Sequence, residues 1–257
     1  MTRSRQVWNS QIVERQELTA EYLLLKFTVP PELSFSPGMF VEISLPQAGF
    51  SLPRPFSVIS SSSGFLELLV KVVGRETSRL KNCDTDCQLQ LFGPLGTSFP
   101  EVPGELLLVA GGVGIAPLLF LKSVHTRRTT LLAGFRNSAE YTALASALPG
   151  LQSASLSTDD GSAGYHGLVT ELLAKHLKES GTRYSAAMVC GPEPMMRAVS
   201  HLLHPLPTWV SLESYMACGY GVCMGCVVEM SDGSWSRACS EGPVFRSDQL
   251  AGYRSQQ

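Results

Sequence analysis

Leu106-Leu107-Leu108-Val109-Ala110-Gly111-Gly112-Val113-Gly114-Ile115-Ala116-Pro117 joins an unbroken apolar run to a glycine-rich turn. A continuous apolar run is the pattern of a strand buried on both faces, which calls for a parallel sheet covered by helices. Ala116 to Val124 then reads as a helix. Glycines between strand and helix let the backbone approach a ligand closely, and the helix dipole attracts an anion there. The spacing departs from G-x-G-x-x-G, so a plain tight turn is the competing reading.

Downstream the same alternation continues. Thr130–Phe135, Ser153–Thr158 and Ala186–Cys190 read as strands; Ala139–Leu148, Val169–His176 and Pro194–Leu203 read as helices. Alternating strands and helices specify a parallel nucleotide-binding sheet. Cys190-Gly191-Pro192-Glu193-Pro194-Met195 follows the last of these strands, at the carboxyl edge where ligands bind in such sheets. For Cys190 the alternative is a small buried apolar residue. His204-Pro205-Leu206-Pro207 closes the domain.

Upstream, Val7–Val13, Tyr22–Val29, Phe40–Leu45, Phe65–Val73 and Cys87–Phe92 are short strand-like runs separated by Gly, Pro and Ser turns. That rhythm suggests a small antiparallel barrel. Within it lies Arg54-Pro55-Phe56-Ser57. An Arg can neutralise a pyrophosphate, an aromatic ring can pack on a flavin, and a Ser hydroxyl can reach the flavin ring edge where hydride arrives. Alone, the tetrapeptide also fits a proline-rich turn with an exposed Arg. Gly74-Arg75-Glu76-Thr77-Ser78 ends a strand before a short helical stretch, as a phosphate loop or a simple cap would.

The last segment carries Cys218-x4-Cys223-x2-Cys226-x12-Cys239. The first three follow the plant-type 2Fe-2S spacing with a distant fourth thiolate. A two-iron rhomb needs two thiolates on each iron, and Gly219, Gly221 and Gly225 allow a tight wrap with N–H groups aimed at sulfur. A four-cysteine zinc site is the alternative, although such sites usually show two C-x2-C pairs. The remaining cysteines, Cys83 and Cys87, read as ordinary thiols. Seven cysteines, four of them crowded together, suggest a reducing compartment with a cluster and not a disulfide framework. The expected organisation is a β-barrel domain over residues 1–102, an α/β domain over 103–208 and a small cluster domain over 209–257.

Composition narrows the partners. Twenty basic and 22 acidic residues give a net charge of −2, without the basic excess that nucleic-acid binding requires. The longest apolar run, Leu106–Leu121, contains three glycines and a proline and is shorter than the roughly 20 residues of a membrane helix. The N-terminus has no apolar signal region, so a soluble, cytoplasmic protein is expected, with no membrane and no nucleic-acid partner.

Together these motifs resemble the ferredoxin–NADP⁺ reductase superfamily, and within it the electron-transfer subunits of type B dihydroorotate dehydrogenases. The resemblance spans essentially the whole chain. It rests on Arg54–Ser57, on Gly111–Pro117, on Cys190–Met195, on Met216–Gly219 with Cys223–Cys226, and on Gly242-Pro243-Val244-Phe245. It implies FAD on the barrel, held by Arg54, Pro55, Phe56, Ser57, Leu69, Val70, Lys71, Gly74, Glu76 and Thr77. It implies NAD(H) on the α/β domain, against Gly111, Gly112, Gly114, Ala116, Pro117, Gly191 and Pro192. It implies a 2Fe-2S cluster on Cys218, Cys223, Cys226 and Cys239, with Ser57 and Cys190 nearest the hydride path. Asp159 and Asp160 follow a strand where a 2′-phosphate would lie, which favours NAD over NADP.

The implied partner is an FMN-containing dihydroorotate dehydrogenase catalytic subunit, two copies of each forming a heterotetramer in pyrimidine biosynthesis. Electrons from dihydroorotate would pass from FMN through the cluster to FAD and on to NAD⁺. No residue here resembles a general base for dihydroorotate, in keeping with a separate catalytic subunit. Reductase subunits of hydrogenases or ferredoxin-dependent transhydrogenases share these motifs, and a zinc-stabilised nucleotide-binding module is the non-enzyme rival. One departure stands out. The second flavin loop usually reads Gly-x-Gly-Thr, whereas Glu76 here is expected to restrict the backbone and bring negative charge near phosphate.

Overall fold

The computed structural model describes residues 5–45, 52–85, 87–125, 128–181 and 183–253. Its first half is a curled antiparallel sheet. The chain forms β1 (Gln6–Ser10), β2 (Ile12–Glu17), β3 (Tyr22–Thr28), β4 (Phe40–Ser44), β5 (Arg54–Ser62), β6 (Phe65–Lys71), helix α1 (Arg75–Lys81) and β7 (Leu89–Leu95). The sheet order is β1-β7-β4-β5-β6-β3-β2. Its two edge strands, β1 and β2, are separated only by Gln11, so one bent ribbon serves both edges and draws the sheet into a barrel. Counted as one strand, that ribbon makes the small antiparallel barrel six-stranded. Alternation fills the interior: Leu23, Leu25 and Phe27 of β3 and Leu66, Leu68 and Val70 of β6 are fully buried.

The second half alternates β8 (Leu106–Gly111), α2 (Ile115–Val124), β9 (Thr129–Phe135), α3 (Ser138–Ala147), β10 (Ser155–Thr158), β11 (Tyr165–His166), α4 (Val169–Glu179), β12 (Ala186–Cys190), α5 (Glu193–Leu203) and β13 (Thr208–Ser211). The sheet order is β11-β10-β9-β8-β12-β13, all parallel. The chain winds outward from β8 through β9 and β10, then returns on the other side of β8. The order therefore reverses between β8 and β12, the crevice where open α/β sheets bind ligands.

The remaining strands are β14 (Val227–Glu229), β15 (Trp235–Arg237) and β16 (Val244–Arg246). The first two form a hairpin, whereas β16 adds antiparallel to β13 and extends the large sheet. The cysteine segment is thus stitched to the nucleotide sheet. Its residues Cys226, Ala238 and Cys239 also share a core with Phe40, Phe92 and Leu95 of the barrel.

The sequence reading missed β13, because the prolines before it mark a link more strongly than Thr208–Ser211 marks a strand. It also read Cys83 and Cys87 as ordinary thiols; the structure brings their side chains together between α1 and β7. Their Cα atoms are 5.5 Å apart, within the reach of a disulfide. The sequence signal for that contact, four residues of spacing, is too weak to announce a pair. No helix among the described residues is long and apolar enough to cross a membrane.

Candidate functional site

A cavity of about 1140 Å³ lies where barrel, parallel sheet and cysteine segment meet. From the barrel it is lined by Arg54, Pro55, Phe56 and Ser57 on β5, by Leu69 and Lys71 on β6, and by Gly74, Glu76 and Thr77 beyond. From the sheet come Gly111, Gly112, Gly114, Ala116 and Pro117 on one side of the switch point, Cys190 and Pro192 on the other, and Asp159 after β10. The motifs read separately along the chain converge on one space.

Two expected residues do not line it. Val70 is fully buried in the barrel interior, because β6 alternates and its odd neighbours Leu69 and Lys71 take the cavity side. Gly191 is turned into the seam between the two strand ends, where a Cβ would strike the Gly111 backbone at 2.9 Å. Asp160 also turns away: its Oδ1 accepts from Ser162 N at 2.9 Å and Ser162 Oγ at 2.6 Å, leaving Asp159 as the acidic residue on the cavity.

The glycine turn has a packing reason as well as a ligand-binding one. A Cβ on Gly114 would lie 2.5 Å from the Cys190 carbonyl oxygen, so the start of α2 fits against the end of β12 only without a side chain. That close approach brings Cys190 beside the crevice. Burial and the nearby Glu213 push its thiol up to about 12, against a hydrogen bond with Ser211. Cys190 is therefore a neutral, compact wall of the site.

Sequence reasoning missed Glu213 and Tyr215 and took Met216 and Pro243 only as parts of the cluster and trailing motifs; all four line the cavity. Glu213 is raised above the ordinary carboxylate range by burial, with Lys71 pulling the other way. Tyr215 is 92% exposed, so its ring is available to cover a bound group. The signal for both was β13: had Thr208–Ser211 been read as a strand, the residues just after it would have fallen at the same carboxyl edge as Cys190.

The phosphate loop is tied from within. Val73 N and Gly74 N donate to Thr77 Oγ1 at 3.0 and 3.1 Å, and that hydroxyl donates back to Gly74 O at 3.0 Å. Thr77 thus shapes the loop. The expected backbone restriction at Glu76 does not arise: among the described non-glycine residues only Met224 has positive φ, so position 76 has no need of glycine.

Beyond Met216 the cysteine segment wraps tightly. Gly219 has φ +59°, and a Cβ there would meet Phe92 Cε1 at 2.7 Å. Phe92 and Tyr220 stack with centroids 4.4 Å apart. Arg237 Nη1 donates to Gly221 O at 3.0 Å while its Nε and Nη2 grip both oxygens of Glu241 at 2.9 and 3.0 Å. That grip holds the Glu241 carboxyl down at about 2.

The four cysteines fall into two pairs. Cys218 interacts with Cys223; burial raises its thiol, but hydrogen bonds from Cys223, Val222 and Tyr220 outweigh this and bring it to about 6. Cys239 N donates to Cys226 Sγ at 3.4 Å, and burial with the Cys226 neighbour pushes the Cys239 thiol up to about 12. The spacing, with one C-x2-C pair and not two, is what favours iron over a four-cysteine zinc site. Two pairs, with backbone N–H groups directed at sulfur, suit two bridged irons. The pair Cys226 and Cys239 is buried, whereas Cys223 is exposed.

This arrangement has known counterparts. Residues 213–251 match the iron-sulfur cluster binding domain of dihydroorotate dehydrogenase B, residues 108–201 an oxidoreductase NAD-binding domain and residues 9–99 an oxidoreductase FAD-binding domain. The chain belongs to the family of electron transfer subunits of NAD⁺-dependent dihydroorotate dehydrogenase B. One member, from Caldanaerobacter subterraneus subsp. tengcongensis, is 34% identical over 83% of this chain and 86% of its own. Another, from Desulforamulus reducens, is 36% identical over 83% and 86% respectively. Among solved structures, an NADH-dependent reduced ferredoxin–NADP oxidoreductase superposes with a TM-score of 0.82 at 31% identity, covering 94% of this chain and 89% of that one. The family is a flavin- and iron-sulfur-dependent NAD oxidoreductase, and its FAD, NAD and cluster domains fit a relay of electrons to NAD⁺.

Proposed function

We propose that this chain accepts electrons from an FMN-containing catalytic subunit that oxidises dihydroorotate and delivers them to NAD⁺, two copies of each subunit forming the complex. One observation carries the reading. Both ends of the cysteine segment, Met216 and Pro243, line the cavity that holds the flavin motif, while Cys223 faces outward. Around Cys223, Tyr220, Val222 and Met224 are large exposed hydrophobic residues. Exposed apolar residues of this kind suit a docking surface for another protein, which supports a path from that protein through the cluster ligands to the flavin.

When bound, flavin and cluster supply the exchange between single electrons and hydride. The protein does the rest. Arg54 neutralises pyrophosphate, Phe56 packs against the flavin and Ser57 offers a hydroxyl to the ring edge. Lys71 and Leu69 border the ring. Gly111, Gly112 and Gly114 with Ala116, Pro117 and Pro192 form the nicotinamide dinucleotide crevice, and Gly191 lets its two strand ends close together behind it. Cys190 bounds the hydride path as an uncharged wall. Asp159 discourages a 2′-phosphate. Cys218, Cys223, Cys226 and Cys239 would hold the 2Fe-2S cluster, with Cys223 on its exposed side and Cys226 and Cys239 on its buried side. The units 1–102, 103–208 and 209–257 carry these three tasks in a cytoplasmic protein of pyrimidine biosynthesis.

The test is reconstitution with the FMN subunit of a dihydroorotate dehydrogenase, following NADH at its absorption band. Dihydroorotate-dependent reduction of NAD⁺ is expected from the pair and from neither protein alone. A second reading has support of its own: the 31% identity to the ferredoxin–NADP oxidoreductase places a transhydrogenase complex in view. Co-purification separates the two, because that partner would not oxidise dihydroorotate.

A further inference from the structure

The flavin side of the cavity contains a carboxylate where an anion is expected. Glu76 is only 9% exposed and lines the cavity together with Arg75 and Arg54. Its Oε1 accepts from Arg75 Nε at 3.0 Å and from Arg79 Nη1 at 3.0 Å. One carboxylate between two guanidinium groups leaves the loop net positive. Arg54 and Arg75 thus bring two positive charges to this end of the cavity, while the one negative charge of Glu76 is shared with Arg79 behind it.

The geometry of a guanidinium explains why the carboxylate helps. Arg75 is 73% exposed in its side chain, and a free arginine loses much rotamer freedom when it is fixed on a ligand. Held through Nε, it is ordered before the ligand arrives, and its terminal nitrogens are not needed for that pair. A planar fork can serve one anion along one edge and a second along another. The Glu76 backbone is ordinary, so this residue is not tolerated at a cost in strain.

We propose that Glu76 is a positioning residue which holds Arg75 against the cavity as a second cationic contact, beside Arg54, for the diphosphate of the flavin dinucleotide. A carboxylate at this site therefore strengthens anion binding. The proposal rests on the reading of this cavity as the FAD site.

The sign of one measurement decides it. Full-length protein is freed of flavin, and the dissociation constants of FAD and of riboflavin, which lacks phosphate, are measured by fluorescence for the native chain, E76Q, R75Q and the double variant. Glu76→Gln keeps the shape and removes the charge. It is expected to weaken FAD roughly fivefold to tenfold, the size of one charge-assisted hydrogen bond, and to leave riboflavin unchanged. In the R75Q background E76Q is expected to change nothing further. Tighter or unchanged FAD binding in E76Q overturns the proposal, since a carboxylate that merely repels phosphate gives tightening. Equal loss of FAD and riboflavin also overturns it, by marking a structural role. Should E76Q not fold, R75Q alone decides: FAD affinity equal to the native chain's removes Arg75 as a contact. Failure of the native chain to bind FAD would instead strike the reading of the cavity.

Discussion

Tyr22 Oη donates to Glu140 Oε1 at 2.6 Å, and this buried bond ties the barrel to the nucleotide-binding sheet. The tie is a closed loop. Glu140 Oε2 accepts from Arg136 N at 3.0 Å, and Arg136 Nη2 returns to the barrel at Glu21, 2.6 Å away. Glu140 and Arg136 both line the cavity, so the loop sets the separation of its two walls. Burial, then Glu140, raise the Tyr22 hydroxyl far above its usual range. Burial also pulls Glu140 upward, but bonds from Tyr22 and Arg136 outweigh it and hold the carboxyl below its ordinary value.

Removing this donor should loosen the two halves. Tyr22→Phe is expected to cost roughly 1.5–3 kcal/mol, the range for a bond to a charged partner, read as a lower denaturant midpoint. The pH dependence has a definite sign. A carboxyl whose folded pKa is depressed contributes stability that is present above its unfolded value, about 4, and is lost as pH falls through the folded one. Melting temperature measured against pH should therefore drop on the acid side in the native protein, and less steeply in Tyr22→Phe. Identical acid limbs would remove Glu140 from that loss.

Arg54 lies at the start of β5, on the flavin wall of the cavity, with an exposed side chain. Arg54→Ala should lower FAD retention about tenfold through a gel-filtration step, by loss of a charge-assisted contact. The 2Fe-2S absorption should remain, because the cysteines belong to another segment. Flavin occupancy equal to the native protein's would remove Arg54 from the pyrophosphate site.

Much of this site was legible in the sequence because its parts are local. Gly111–Pro117 and Cys190–Met195 each follow a continuous apolar run that announces a buried strand, and Arg54–Ser57 is a contiguous tetrapeptide at the start of β5. What escaped depends on contacts between distant segments. Glu213 and Tyr215 reach the cavity because β13 pairs with β12, a pairing that four residues after a proline-rich link do not announce. Tyr22 meets Glu140 across 118 positions. Glu76 read as a liability because its ion pairs with Arg75 and Arg79 are side-chain contacts that a motif comparison does not show. Val70 stands apart for a simpler reason: a strand gives alternate side chains to opposite faces, and its own fills the barrel interior.

Nucleotide choice should follow Asp159 alone. Asp159 is on the cavity, whereas Asp160 is spent on Ser162. NADH should reduce the flavin much faster than NADPH. Asp159→Ser should narrow that gap by removing repulsion of a 2′-phosphate, and Asp160→Ser should leave it in place. Stopped-flow flavin bleaching with both nucleotides reads the result. An NADPH rate matching NADH in the native chain would favour the transhydrogenase reading.

Cys223 separates the two halves of the relay. It is the exposed cysteine, paired with Cys218 at the outer end of the segment, while Cys226 and Cys239 are buried against the barrel. Anaerobically purified native protein should carry about two irons and one FAD per chain. Cys223→Ser should lose the cluster, since serine is a poor ligand for a thiolate-held iron. The flavin and nucleotide motifs belong to other elements, so FAD should stay bound and NADH should still reduce an artificial acceptor that takes electrons from flavin. Transfer to or from the catalytic partner should fail. Loss of both activities with FAD retained would make the cluster part of the hydride site. Retention of both would take it off the path, and the outward patch of Tyr220, Val222 and Met224 would then need another purpose.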